Sequence, residues 1–273
     1  MKIIGIILTW NNFEFFKCVL TQALSFCDEV IVAEGCHLKK FPIHSTDGTY
    51  EYIQFIKDPK LVIIDINKFN RKINNKILQC QIRQTSLQQS KYWDDGNWII
   101  QWDDDTLFFE KDLSVIKQIM KTTDADILKF RERRFAFNFR FNLLSDISNF
   151  QAAIFQKIKP KCSFIPPSKI CNPNKLPYDN ILKVPEIIYH HYPYVKLTAR
   201  VKFRWEISCG NENTGALWDN FLWENDQDIF KQENLFRKII GGSQMANLNV
   251  YNGPHPEILN SHPWKNLNDV RSL

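Results

Sequence analysis

The stretch NWIIQWDDD, residues 97–105, decides the fold, because a short apolar run ends abruptly in three adjacent carboxylates. The run at 97–102 has the length and composition of a buried strand. Three neighbouring acidic side chains repel one another, and each loses hydration if it approaches a core. A solvated loop would relieve this repulsion, and so would a hard divalent cation, which prefers carboxylate oxygens.

On both sides of this stretch the sequence alternates between strand-like and helix-like segments. Short β-branched runs predict the strands, and apolar residues at helical spacing predict the helices between them. The predicted strands are 2–8, 29–35, 61–66, 97–102 and 125–135. The predicted helices are 13–26, 75–90 and 110–120, and the segment 45–56 predicts a turn that leads into a further helix. This alternation indicates an α/β fold with parallel strands joined by right-handed crossovers.

Polar residues follow three of these predicted strands, namely Thr9–Asn12, Glu34 and Asp103–Asp105. Ligands bind beyond the carboxyl ends of the strands in such sheets. The sequence therefore predicts one shared site built from three separate segments.

Composition is that of a soluble globular protein, with 273 residues, 44% hydrophobic and 24% charged. The seven cysteines are odd in number and contain no C-x-x-C pair, which argues against a zinc site or disulfide framework and favours a reducing, cytoplasmic location. The start, MKIIGIIL, is too short for a signal peptide, and no apolar run approaches the ~20 residues of a membrane span.

Beyond residue 140 the alternation ends. Prolines between 160 and 185 predict loops or edge strands, and the segment 216–240 predicts a helix. Basic residues are concentrated at 129–140 and at 157–204, and the second of these segments contains ten Lys and Arg but only two acidic residues. These clusters indicate either an anionic ligand, such as nucleotide phosphates or a polyanionic acceptor, or merely a solvated face.

Four segments carry a resemblance to a known family: IIGIILTWNN (3–12), DEVIVAEG (28–35), STDGT (45–49) and WIIQWDDD (98–105). In this order and over about residues 1–130, the sequence resembles family 2-like glycosyltransferases of the GT-A fold. The segment IIYHHYPYVK (187–196) resembles one that closes the site in a bacterial and phage-type branch.

The resemblance implies a Rossmann-type mixed sheet flanked by helices, followed by an irregular C-terminal acceptor and lid region. Residues 1–130 would bind a nucleotide-diphosphate sugar donor. Residues 131–273 would bind the acceptor and cover the site, within one continuous globular domain.

The resemblance also implies that Asp103 and Asp105 bind Mn²⁺ or Mg²⁺ together with the donor pyrophosphate. Side chains alternate along an extended chain, so these two would share one side and Asp104 would point elsewhere, toward the sugar or a ribose hydroxyl. A solvated turn is the alternative for the triplet.

Further donor contacts are implied at the ends of the first two strands and on the helix before the fourth. Thr9, Trp10 and Asn11 would face the nucleotide, with Trp10 either stacked on the base or packed against a loop. Glu34 stands where the family usually has an Asp that binds base or ribose. Arg83 would face the base or a phosphate, or else lie on the surface. The segment STDGT is predicted to have a structural role, as a turn that caps a helix.

The segment 187–196 supplies the remaining candidates. His190 or His191 would complete the metal shell, or the two form a structural pair, and Lys196 would neutralise the leaving diphosphate. Because adjacent side chains on an extended segment diverge, at most one of these histidines would be a ligand.

The reaction implied is inverting transfer of a sugar to an acceptor hydroxyl, which needs a carboxylate base. Glu132 is the candidate by chain position, with Asp146, Asp179 and Glu186 as alternatives.

Four other functions stay open. A nucleic-acid-binding protein would use the basic clusters and aromatic residues, and a DNA-modifying glycosyltransferase would act on hydroxylated bases. A sugar nucleotidyltransferase would need a Gly-rich phosphate loop, which LTWNNFEFF (8–16) lacks. A relative without catalysis would bind the donor only. The acceptor itself would be a glycan, a lipid-linked sugar or modified DNA.

Overall fold

The computed structural model describes residues 1–36, 39, 41–71, 75–143, 155–159, 162–165, 169–171, 180–196 and 248–267. The chain divides into two compact units. The first comprises 1–106, 110–129 and 152–184, and the second comprises 107–109, 130–151 and 185–273. The helix predicted at 216–240 lies outside the described residues.

Within the described ranges the chain forms twelve strands and four α-helices. The strands are β1 (Ile3–Thr9), β2 (Glu29–Glu34), β3 (Leu61–Asp65), β4 (Trp98–Asp103), β5 (Thr106–Leu107), β6 (Ile127–Ala136), β7 (Phe141–Leu143), β8 (Phe155–Lys157), β9 (Ser163–Ile165), β10 (Lys169–Cys171), β11 (Ile181–Tyr194) and β12 (Leu248–Val250). The helices are α1 (Phe13–Phe26), α2 (Thr49–Phe55), α3 (Asn75–Gln89) and α4 (Glu110–Thr122). None of these helices is long and apolar enough to cross a bilayer.

The first unit is built on a mixed sheet with the strand order β8-β4-β1-β2-β3. Strands β1 to β4 are parallel to one another, whereas β8 runs antiparallel to β4. Helices α1, α2 and α3 join consecutive parallel strands, which is the arrangement that the alternating pattern predicts. The fold is thus α/β, with a central mixed sheet flanked by helices, as the sequence predicted.

Apolar periodicity explains why these segments adopt these structures. Every residue of β2 is buried, and β1 is buried except at Leu8, as expected for strands covered on both faces. Helix α1 buries an apolar stripe at helical spacing against the sheet, formed by Phe15, Phe16, Val19, Leu20 and Ala23. All five strands and four helices predicted before residue 136 are present, with ends within a few residues of the prediction.

The second unit contains antiparallel pairing of β7 with both β6 and β12. Strands β6 and β11 each begin in the first unit and end in the second. In the described part of this unit aromatic side chains pack against one another, and the ring of Phe135 stacks on that of Tyr192 with centroids 4.8 Å apart.

The sequence predicted that the prolines between 160 and 185 mark loops or edge strands. Of these prolines, the structure describes Pro185, which lies inside the 14-residue strand β11. The other prolines between 160 and 178 lie outside the described residues.

Candidate active site

The carboxyl ends of β1, β2 and β4 lie side by side. In the parallel ladders, Thr9 is opposite Glu34, and Leu8 is opposite Asp103. The Thr9 hydroxyl donates to Asp104 Oδ2 at 2.8 Å, which links the end of β1 directly to the acidic triplet. The convergence of these segments, which chain order alone predicted, is therefore present in the structure.

The acidic triplet does not form an extended segment. Strand β4 ends at Asp103, and Asp104 and Asp105 form the turn that leads into β5. The Trp102 indole N–H spans this turn and donates to the Thr106 carbonyl at 2.8 Å. The sequence predicted that Asp103, Asp104 and Asp105 continue the extended strand, with side chains that alternate between its two sides. This is wrong, because the strand ends at Asp103 and a turn follows it.

The three carboxylates differ sharply in exposure. Asp103 is exposed, whereas Asp104 and Asp105 are 6% and 1% exposed. Besides the bond from Thr9, the Asp104 backbone carbonyl accepts a hydrogen bond from Asn12 Nδ2 at 2.8 Å. Asp104 thus ties the triplet to β1, and its predicted contact with a sugar or ribose stays a prediction.

Asn12 is available for this contact because another residue caps helix α1. Asn12 occupies the N-cap position without a side-chain capping bond, and Asp47 Oδ2 instead accepts from the Phe13 N–H at 2.9 Å. Asp47 Oδ1 also accepts from the N–H and hydroxyl of Thr49 at the start of α2, while Gly48 has a φ of 97°. The structural role predicted for STDGT is confirmed.

Glu34 and Asn11 fasten the loop that follows β2. Glu34 is 3% exposed, its Oε1 accepts from the Ser45 N–H and hydroxyl at 2.7 Å each, and its Oε2 bonds His44 Nδ1 at 2.8 Å. Asn11 donates its N–H to Ser45 Oγ, and its Oδ1 accepts from the Thr46 N–H. Any contact of Glu34 with a base or ribose would compete with these bonds.

Trp10 is 7% exposed and packs against Phe41 of the same loop, with ring centroids 5.4 Å apart and planes inclined at 54°. The sequence left two alternatives open for Trp10, stacking on a base or packing against a loop, and the structure shows packing against a loop. Stacking of Trp10 on a nucleotide base stays a prediction.

Arg83 is a half-buried cation that interacts electrostatically with Asp103. Its Nε and Nη1 atoms are buried and have no hydrogen-bond partner within the part of the chain that the structure describes. Burial lowers the pKa of Arg83, and the Asp103 carboxylate opposes this shift. Buried donors without acceptors are costly, and a guanidinium is well suited to bind phosphate oxygens.

A divalent ion at this end of the sheet would need ligands beyond the protein. Among the described residues, no three His, Cys, Asp or Glu side chains are grouped so that they could hold a metal. The oxygen donors of Asp103 and Asp105 nevertheless match the preference of Mg²⁺ and Mn²⁺, which commonly take their other ligands from water and substrate phosphates.

In the second unit, Glu132 lies between two basic side chains. It is 2% exposed, makes a short contact with His191 Nδ1, and its Oε2 lies 2.9 Å from Arg134 Nη2. Burial raises the pKa of Glu132, but the attraction of His191 and Arg134 outweighs burial and lowers the pKa below its usual value. The carboxylate can accept a hydrogen bond from His191, and the role of Glu132 as the catalytic base stays a prediction.

His190 diverges from its neighbour, as an extended strand requires. His190 Nδ1 lies 3.2 Å from the Tyr192 hydroxyl, which also bonds His255 Nδ1 at 2.8 Å. Burial places the pKa of His190 well below its usual value, with smaller contributions from His255 and Arg133. His190 is therefore a neutral member of an aromatic cluster.

The remaining predicted residues have less distinctive surroundings. Lys196 follows β11 and is 2% exposed, and Glu186 is exposed on β11. Asp146 and Asp179 lie outside the described residues. Participation of His190, His191 and Lys196 in donor or metal binding stays a prediction.

Sequence reasoning missed three partners of the predicted residues: Asn12 as a donor to Asp104, Ser45 as a donor to Glu34, and Arg134 beside Glu132. Only Arg134 carried a local signal, since residues two apart on a strand share a face. The other contacts join segments that are distant in the chain.

No protein-family model matches the sequence, and no curated protein matches it. Among solved structures, the chain is similar to a crystal structure of residues 1–349 of S. aureus TarS, with a TM-score of 0.44 and 12% sequence identity. That alignment covers 88% of this chain and 79% of the TarS chain.

Proposed function

We propose that this protein is a metal-dependent, inverting glycosyltransferase that moves a sugar from a nucleoside diphosphate donor to an acceptor hydroxyl. One observation carries the proposal. An exposed carboxylate, Asp103, ends a central parallel strand and interacts electrostatically with the partly buried cation of Arg83, and Thr9 and Asn12 fix the adjoining acidic turn.

The chemistry that this arrangement supports is electrostatic. Mn²⁺ or Mg²⁺, when bound by Asp103 and Asp105, would supply positive charge to the donor pyrophosphate. Arg83 would donate to phosphate oxygens from a guanidinium whose Nε and Nη1 atoms are buried, and burial strengthens a charge-assisted hydrogen bond. Both groups would stabilise the negative charge that develops on the departing nucleoside diphosphate.

Thr9 and Asn12 contribute by preorganisation. Their bonds hold the Asp104 side chain and backbone, so the carboxylates on either side keep their positions before a ligand arrives. Sites of this kind lose activity when supporting contacts are removed, because binding groups must be held close to their productive geometry.

Simple nucleic-acid binding receives less support from the described basic residues. On β6, Arg134 is paired with Glu132, and the guanidinium of Arg133 lies 4.3 Å from the centre of the Tyr251 ring. These cations are partly engaged within the protein, which reduces what they would offer to a phosphate backbone. A modified DNA acceptor remains one possibility for the transferase, beside a glycan or a lipid-linked sugar.

The proposal is tested by calorimetric titration with a panel of nucleoside diphosphates, with and without Mn²⁺. We expect metal-dependent binding that Asp103→Asn weakens by more than about tenfold, or ~1.4 kcal/mol. Asp95→Asn is the matched control, because Asp95 is exposed in the loop before β4. Binding that needs no metal, or that the two variants change equally, would contradict the proposal.

Turnover is tested separately with the corresponding nucleotide sugars, by measuring release of the nucleoside diphosphate. Slow hydrolysis in the absence of an acceptor is the expected result, with dependence on Mn²⁺ or Mg²⁺. Tight donor binding with no turnover across the panel, even with candidate acceptors, would indicate a binding protein that lacks catalysis.

A further inference from the structure

Glu132 and His191 form a contact that the sequence did not predict, across 59 positions of the chain. The contact joins a carboxylate oxygen to the Nδ1 atom of the imidazole, and both side chains are buried, with 2% and 5% exposure. Arg134 lies 2.9 Å from the second carboxylate oxygen. The arrangement fixes one specific ring atom of His191 against one specific acceptor.

Proton placement in this pair follows from the charge on Glu132. Arg134 lies 2.9 Å from the second oxygen of the Glu132 carboxylate, and a carboxylate that is paired with a guanidinium is ionised and can only accept hydrogen bonds. The Nδ1 atom must therefore carry a proton. In the neutral form of His191, which carries a single ring proton, the electron pair is then on Nε2.

We propose that Glu132 is a positioning residue that fixes His191 in the Nδ1–H tautomer, so that Nε2 is the electron-pair donor of the ring. Arg134 supports this role by holding the carboxylate ionised. A carboxylate behind an imidazole orients the ring and strengthens its free nitrogen as a metal ligand in many metal sites. The tautomer is a property of the second unit alone and does not rest on the proposed function.

His190 provides an internal comparison. Its Nδ1 atom faces the Tyr192 hydroxyl, which can either donate or accept a hydrogen bond. The tautomer of His190 is therefore not dictated by a charged partner. Two adjacent histidines thus differ in what determines the position of their ring proton.

The experiment measures the tautomer directly in the metal-free protein. Protein labelled with ¹⁵N at histidine is examined at pH 8 by long-range ¹H–¹⁵N correlation, and His191→Gln identifies the His191 signals by their loss. We expect the Nδ1–H form of His191 in at least about tenfold excess, since hydrogen bonds to charged groups are the stronger class. In Glu132→Gln the excess should fall to about threefold or less, because an amide side chain can donate or accept.

Glu186→Gln is the matched control, since it makes the same change at an exposed position of β11 and should leave the tautomer unchanged. Persistent signals from the other histidines report that each variant is folded. A proton on Nε2 in the wild-type protein, protons on both nitrogens, or an unchanged tautomer in Glu132→Gln would each overturn the proposal. If Glu132→Gln does not fold, the wild-type spectrum alone decides.

Failure of this proposal is distinguishable from failure of the proposed function. Metal-dependent donor binding together with an Nε2–H tautomer would overturn only the positioning role of Glu132. The Nδ1–H tautomer without donor binding would support that role and contradict the transferase.

Discussion

Loss of the hydrogen bond from Thr9 to Asp104 should lower the free energy of unfolding measurably, because this bond holds the acidic turn. Thr9 is 3% exposed, and its hydroxyl donates to a carboxylate that is itself 6% exposed, at 2.8 Å. Thr9→Val removes the donor and nearly preserves the shape of the side chain. A hydrogen bond to a charged group contributes ~1.5–3 kcal/mol, and the buried carboxylate would lose part of its compensation.

We therefore expect Thr9→Val to lower the free energy of unfolding by about 2 kcal/mol. The measurement is urea denaturation followed by circular dichroism at neutral pH. Thr21→Val is the matched control, because the Thr21 hydroxyl is exposed and bonds a carbonyl within its own helix, so its change should stay within about 0.5 kcal/mol.

A double-mutant cycle with Asp104→Asn separates the pair from its surroundings. If the bond is real, the two single substitutions should not be additive, with an interaction of about 0.5–3 kcal/mol. A Thr9→Val effect no larger than that of Thr21→Val, or strict additivity with Asp104→Asn, would refute the reasoning that Thr9 holds the acidic turn.

Three further outcomes follow from the first unit. Arg83→Gln should weaken binding of a nucleoside diphosphate by about tenfold or more in calorimetry, because it removes a charge-assisted donor beside Asp103. Gly35→Ala should destabilise far more than Gly96→Ala in urea, since both have positive φ but the added Cβ at Gly35 would lie 2.4 Å from Ile66, whereas nothing lies within 4 Å at Gly96. Asp28→Asn should flatten the loss of stability between pH 5 and pH 3, measured by urea midpoints.

The sign of the Asp28 prediction follows from linkage. Burial raises the pKa of Asp28, but hydrogen bonds from Lys2 and the Ile3 N–H outweigh it and lower the pKa below 3.8. A carboxyl whose folded pKa is depressed stabilises the protein above its unfolded pKa, and this contribution is lost as the pH falls through the folded value. A wild-type profile as flat as that of Asp28→Asn would contradict this account.

Specific results would also contradict the predictions for Gly35→Ala and Arg83→Gln. Equal destabilisation by Gly35→Ala and Gly96→Ala would mean that backbone strain alone matters and that the close approach of Ile66 does not. For Arg83→Gln, the matched control is Lys91→Gln at an exposed site, and an equal effect of both would indicate a general rather than local contribution of charge.

The sequence predicted those strands and helices whose apolar residues follow a regular local period. Strand β2 is apolar throughout its interior and helix α1 repeats apolar residues every three or four positions, so both were predictable from neighbours in the chain. Strands such as β7 and β12 are three residues long, which is too short for any period to be visible. Strand β11 contains Pro185 and Pro193, residues that usually signal a break, yet tertiary pairing keeps it extended.

The site was predictable in outline but not in detail for the same reason. Parallel strands bring their carboxyl ends together, so the proximity of Thr9, Glu34 and the acidic triplet followed from topology. The turn after Asp103 and the attachment of Glu34 to Ser45 depend on side-chain contacts between distant segments, which no local pattern encodes. The Glu132–His191 pair is of this kind as well.

The most direct test of the central claim is a crystal structure with Mn²⁺ and the nucleoside diphosphate that binds most tightly in calorimetry. The account predicts anomalous scattering from manganese at the carboxylates of Asp103 and Asp105, with pyrophosphate oxygens bound to the metal and to Arg83. Nucleotide bound elsewhere on the chain, or manganese absent from the end of β4 when nucleotide is present, would contradict it.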